Sequence, residues 1–102
     1  MDQEEEIAGR FFEWNEEKNK INMQKHHISF RAAAYVFMDE NRLEIFDEKH
    51  SDFEDRFKVI GMVSHVLCVV CTERGLSTRI ISARYADARE RRLYYGNSED
   101  IY

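Results

Sequence analysis

The stretch Arg79-Ile80-Ile81-Ser82-Ala83-Arg84-Tyr85-Ala86-Asp87-Ala88-Arg89-Glu90-Arg91-Arg92-Leu93-Tyr94-Tyr95 decides the reading of this chain. It opens as a β-branched run, which predicts a buried strand, and passes directly into a helical pattern. Asp87 can cap that helix, and Glu90 three residues on matches the reciprocal capping pattern, with Asp in place of Ser or Thr. Gly96 sits where such a helix is expected to stop. The strand and helix together carry Arg79, Arg84, Arg89, Arg91 and Arg92. A guanidinium presents a planar fork that fits phosphate oxygens, so this density points to a phosphate-facing surface. Spacing and charge alone describe a small α+β domain with a basic end.

Around that stretch the chain is acidic. The net charge over 102 residues is −5, which taken whole argues against nucleic-acid binding. The charge is unevenly distributed. Residues 1–55 hold 7 Lys/Arg against 15 Asp/Glu, a balance of −8, and residues 56–102 hold 8 against 5, a balance of +3. A basic patch on an acidic protein is an RNA footprint in the making, because the local field is what draws phosphate. A solvated, charge-rich surface fits the same numbers. The length allows one domain with a modest core. No apolar run reaches the roughly eighteen residues a membrane helix needs. The acidic start Met1-Asp2-Gln3-Glu4-Glu5-Glu6 is unlike a signal-peptide n-region, so a cytoplasmic location is expected.

Residues 1–10 read as a flexible acidic leader with little to bury. Phe11-Phe12-Glu13-Trp14 is a short aromatic segment, an edge strand or a core plug. Asn15 can cap a helix from Glu16 to about His26, with Glu16 and Glu17 in its first turn and Lys25, His26 and His27 at its cationic end. Ser29 can cap a second helix to about Met38, where Phe30, Ala33, Ala34 and Phe37 make a core-facing stripe. The period then changes to two. Strands are predicted from Leu43 to Ile45, from Arg56 to Met62, from Val66 to Thr72 and over residues 79–84, with an acidic loop at 47–55. Short links favour antiparallel neighbours. The fold expected is two N-terminal helices packed on a four-stranded antiparallel sheet, closed by a C-terminal helix. The domain is placed at residues 11–95, with a tail at 96–102.

Several side chains invite chemistry. Cys68 and Cys71 form a C-x-x-C, but residues three apart on a strand face opposite sides, which favours two inert core thiols over a redox or zinc pair. His26 and His27 are adjacent on a helix and diverge, and no further ligand lies at metal spacing, so no metal site and no cofactor are expected. Lys18, Asn22, Lys25 and His26 share one polar helical face, from which Ile21 and Ile28 are expected to point away; a solvated stripe is the plain alternative. His50 and His65 fall in loops and carry no signal. The odd separation of Arg79 and Arg84 puts them on opposite sheet faces, with Arg74 beside Arg79 and far from Arg84. Arg89 and Arg92 are expected to share a helix face that Arg91 leaves.

Two sets of residues are similar to a known family. Trp14-Asn15, Lys18, Asn22, Lys25 and His26 resemble the N-terminal signature of the BrnT toxins, and Ile80-Ile81-Ser82-Ala83-Arg84, Ala86 and Arg89-Glu90-Arg91-Arg92 with Tyr94 resemble their C-terminal one. The Ser29-Phe30 helix and Thr72-x-Arg74 also match, and His27 departs from the family's usual Gly. The resemblance covers residues 11 to about 95. It implies a RelE-like fold and a metal-independent endoribonuclease that blocks translation. It also implies neutralisation by a BrnA-like antitoxin, through which alone the pair would touch DNA. RNA supplies its own 2′-hydroxyl nucleophile, so the protein needs proton-transfer groups and cations on the transition state. Arg74 and Arg84 are the expected charge stabilisers. His26 is the expected proton-transfer group, since histidine is the side chain that ordinarily titrates near neutrality. Lys18, Lys25, Arg91 and Arg92 are expected to hold the RNA backbone. On this reading Arg84→Ala abolishes toxicity without unfolding the protein. A non-catalytic protein- or RNA-binding module of the same fold is the alternative.

Overall fold

The computed structural model describes residues 1–99. Strand β1 (Asp2–Ile7) turns through Ala8 and Gly9 into β2 (Arg10–Asn15), and α1 (Glu16–His26) follows at once. A single turn of helix, α2 (Phe30–Ala33), continues as a 3-10 segment over Ala34–Met38. Strands β3 (Leu43–Phe46), β4 (Phe57–Val63), β5 (His65–Arg74) and β6 (Ser77–Tyr85) then lead to α3 (Ala88–Glu99). All six strands form one sheet in the order β1-β2-β6-β5-β4-β3, antiparallel throughout except for the parallel pair β2 and β6.

This overturns the expected four-stranded antiparallel sheet under two full helices. The sheet is six-stranded and mixed, and the second helix is short. The acidic leader is strand β1, which leaves its sequence barely apolar because it needs only one buried side chain, Ile7. Ala8 and Gly9 both take positive φ, 53° and 82°, the geometry of a two-residue hairpin turn whose twist matches the strands. Phe12 and Trp14 then reach the core from β2. The hairpin docks on β6 in parallel, aligning Phe11 with Ser77 and Glu13 with Arg79, so β6 becomes an interior strand. At the other end α3 runs through Gly96 to Glu99; of the predicted tail, residues 100–102 lie outside the described residues.

The sheet is covered on both faces. On one side Phe12, Trp14, Phe30, Val36, Val69 and Ile80 build the larger core beneath α1 and α2. On the other, Ile60, Val66, Cys68, Ala86 and Tyr94 form a smaller core under α3. Gly61 on β4 lets the 3-10 segment close in, since a Cβ there would lie 3.1 Å from Val36 Cβ and 3.2 Å from its carbonyl oxygen. The predicted caps are present. Asn15 Oδ1 accepts from Lys18 N at 3.0 Å, and Ser29 Oγ accepts from Ala32 N at 3.0 Å.

Candidate functional site

Helix α1 lies along the edge of β6 that β2 leaves uncovered, because β2 stops pairing at Glu13 and the chain turns into the helix at Glu16. Asn22 makes that seam. Its amide nitrogen donates to Ala83 O at 2.8 Å and Ile28 O at 2.9 Å, and its Oδ1 accepts from Ala83 N at 3.1 Å. The side chain thus satisfies strand backbone that would otherwise be a buried orphan. Asn19 acts likewise, accepting from Phe30 N at 2.8 Å. The two buried asparagines fix which faces of α1 look outward.

Lys18, Lys25 and His26 are brought together there. With Ile21, Ile81 and Ser82 they line a groove of about 210 Å³ beside Asn22. No carboxylate lines it. Among the described residues neither lysine has an acidic partner. Ile21 opens onto this groove, 58% exposed, rather than pointing away from the polar face. Ile81 and Ser82, from the other wall, lie in the second family-like stretch but were not expected at the site.

The arginines fall into two sets. Arg84 makes a fork-to-fork pair with buried Glu90, Nη1 to Oε1 at 2.8 Å and Nη2 to Oε2 at 3.0 Å, and also donates to the Tyr85 carbonyl. Burial alone would raise the Glu90 pKa; the guanidinium and the Asp87 amide outweigh it and hold the carboxyl down at about 2. The capping box forms as the sequence predicts, with Glu90 N on Asp87 Oδ1 at 2.8 Å and Asp87 N on Glu90 Oε1 at 3.0 Å. Arg79 is held by Glu13 at 2.7 Å and by Asp2 at 3.2 Å. Arg74 pairs with Glu54 at 3.2 Å.

A β-bulge corrects the expected facing of these groups. Ser82 pairs with Val70 and Ile80 with Cys71, so β6 skips Ile81. Arg79 therefore stands opposite Thr72 and Arg84 opposite Cys68, four residues apart on β5, and both face the α3 side. Arg74 pairs with Ser77, six residues along β5 from the partner of Arg84. At about 3.4 Å per residue that is roughly 20 Å, too far for a shared phosphate.

Arg91 and Arg92 line a separate hollow on α3 with Ala88, Tyr95 and Gly96. Arg89 does not line that hollow. His65 opens β5 and packs edge-on to Tyr85, ring centroids 5.3 Å apart, so it is not an idle loop residue. Cys68 belongs to the α3-side core and Cys71 to the other, and burial pushes both thiols up to about 12. Among the described residues no three His, Cys, Asp or Glu side chains converge as a metal cage would require. His27, where the family has Gly, takes the left-handed conformation at the end of α1 with φ 61°.

Comparison with known proteins adds three findings. The family model described as the ribonuclease toxin BrnT of type II toxin–antitoxin systems matches residues 14–90. The 1.1 Å crystal structure of the Brucella abortus ribonuclease toxin BrnT superposes with a TM-score of 0.57 at 20% identity, over 72% of this chain and 92% of that one. At that identity the likeness speaks for the fold. No curated protein matches the sequence.

Proposed function

The chain belongs to the BrnT family, ribonuclease toxins of type II toxin–antitoxin systems, and we propose that it is a metal-independent endoribonuclease that cleaves RNA, inhibits translation and is neutralised by a cognate BrnA-like antitoxin. A type II toxin implies an antitoxin partner; the BrnA-like identity of that partner belongs to the proposal. The observation that carries the catalytic reading is the convergence of Lys18, Lys25 and His26 on one carboxylate-free groove beside β6.

The chemistry follows from those groups. A backbone phosphate seated between Lys18 and Lys25 has its negative oxygens neutralised. Neutral His26 takes the proton of the 2′-hydroxyl, whose oxygen attacks the phosphorus. The 5′-oxygen bond breaks, and the Lys25 ammonium supplies the leaving oxygen's proton. The products are a 2′,3′-cyclic phosphate and a 5′-hydroxyl. Developing charge on the phosphorane-like transition state is met by the lysine cations, and a positioned donor of this kind typically gives about 10²–10³ in rate. Arg84 acts as a positioning residue on this reading, because its fork is committed to Glu90 and anchors α3. Arg91 and Arg92 hold backbone phosphates beyond the cut, and Arg74 takes no part.

Purified protein incubated with single-stranded RNA in EDTA tests this directly. Cleavage products ending in 2′,3′-cyclic phosphate support it, and intact RNA or cleavage that stops on chelation contradicts it. A non-catalytic RNA-binding module of the same fold would instead show salt-sensitive binding without products.

A further inference from the structure

Three hollows join along the end of β6 and the outer face of α3. The first, about 370 Å³, lies beside Met23 and His27 and shares Ser64, His65 and Tyr85 with a second of about 220 Å³. The second shares Arg91 and Tyr95 with the third, about 460 Å³, which also touches Arg92. No Asp or Glu lines any of them, in a chain where 20 of 102 residues are acidic. The hollow at residues 49–56, by contrast, is lined by Asp52 and Glu54. Negative charge is missing from the lining of one path over the surface.

The lining left behind has a definite chemistry. Tyr85 is 48% exposed, and its edge-on contact with His65 fixes the ring without burying it. Arg91 is steadied by a 2.7 Å hydrogen bond from Nη1 to the Ala86 carbonyl. Among the described residues no carboxylate pairs with Arg91 or Arg92. Fixed aromatic faces alternating with unneutralised guanidinium groups suit a ligand made of flat bases on an anionic backbone. The path begins beside Met23 and His27, at the end of the same helix that carries His26, and shares no lining residue with the candidate cleavage groove.

We infer that these joined hollows form a base-stacking track for single-stranded RNA flanking the cut, with Tyr85 and His65 as the stacking platform and Arg91 and Arg92 on the phosphates. The identity of the ligand rests on the ribonuclease reading. Paired bases are closed to such stacking, so the track selects unpaired RNA.

The test is binding of a labelled, uncleavable 2′-O-methyl single-stranded oligonucleotide, measured by anisotropy beside cleavage of the unmodified strand. Tyr85→Ala is expected to weaken binding about tenfold, within the range that stacking on one aromatic provides, while Tyr85→Phe keeps it. Arg92→Ala, at an exposed position, is expected to lower the slope of log K against log salt by about 0.7. The duplex of the same sequence should bind more weakly. Unchanged binding in folded Tyr85→Ala and Arg92→Ala, equal binding of the duplex, or tighter binding of poly-glutamate than of RNA each overturns the track. If the wild type cleaves while these variants bind normally, the track fails and the ribonuclease reading stands. If the oligonucleotide binds through Tyr85 and nothing is cut, the ribonuclease reading fails and the track stands.

Discussion

Glu90 sits buried at the start of α3 with both carboxylate oxygens on the Arg84 guanidinium and one also on the Asp87 amide. Its pKa of about 2, against an ordinary 4.5, ties stability to pH. A carboxyl held down in the folded state contributes fully above about pH 4.5, and that contribution drains away as pH falls toward 2. Glu90→Gln should therefore flatten the acid limb of a stability-versus-pH curve between those values and lower stability at pH 7 by up to about 3 kcal/mol, read by urea denaturation. Arg84→Ala leaves the buried carboxylate without its partner; with the guanidinium itself 35% exposed, solvent screening brings the expected cost to about 1–3 kcal/mol. That argues against the expectation that Arg84→Ala would spare the fold, and loss of toxicity in that variant alone says nothing about chemistry. His27 gives the opposite sign. It occupies φ 61°, a region costing a side chain about 1 kcal/mol that glycine avoids, so His27→Gly should raise stability by up to that amount.

Among the elements, the N-terminal hairpin is where sequence reading failed most. β1 spends its residues on charges that pair across the molecule, Asp2 with Arg79 and Glu5 with Arg31. Such long-range partners have no local period, and an Ala-Gly turn is a weaker hairpin signal than Asn-Gly. The caps at Asn15, Ser29 and Asp87 were legible because each acts within three residues. The bulge at Ile81 was not, since nothing in Ile80-Ile81-Ser82 distinguishes a skipped residue from a regular strand, yet it decides which way Arg84 faces. Two measurements follow at this scale. Gly61→Ala should destabilise by about 1–3 kcal/mol in thermal or urea melts, because Val36 backbone blocks the added methyl at 3.2 Å. Deleting residues 1–9 should lower Tm and leave Arg79 held by Glu13 alone, since Ile7 leaves the core and Asp2 leaves the guanidinium.

Over the whole molecule the charges are sorted, and this governs what the protein can bind. A chain of net charge −5 keeps a carboxylate-free groove along α1 and β6 by tying Arg74, Arg79 and Arg84 to acids elsewhere. The lysines and His26 of the first signature were visible in sequence as a shared helical face, but a polar stripe reads the same whether it is solvated or functional. Only the sheet's edge, closed by Asn22, turns that face into the wall of a groove. For the arginines, residue type shows phosphate affinity and hides the acid with which each of Arg74, Arg79 and Arg84 is paired. The most direct test is single-turnover cleavage of single-stranded RNA by wild type, His26→Ala and Arg74→Ala, each confirmed folded by circular dichroism. Loss of about 10²–10⁴ in rate for His26→Ala with Arg74→Ala within a few fold of wild type is the result predicted; a fully active His26→Ala beside an inactive Arg74→Ala would contradict it.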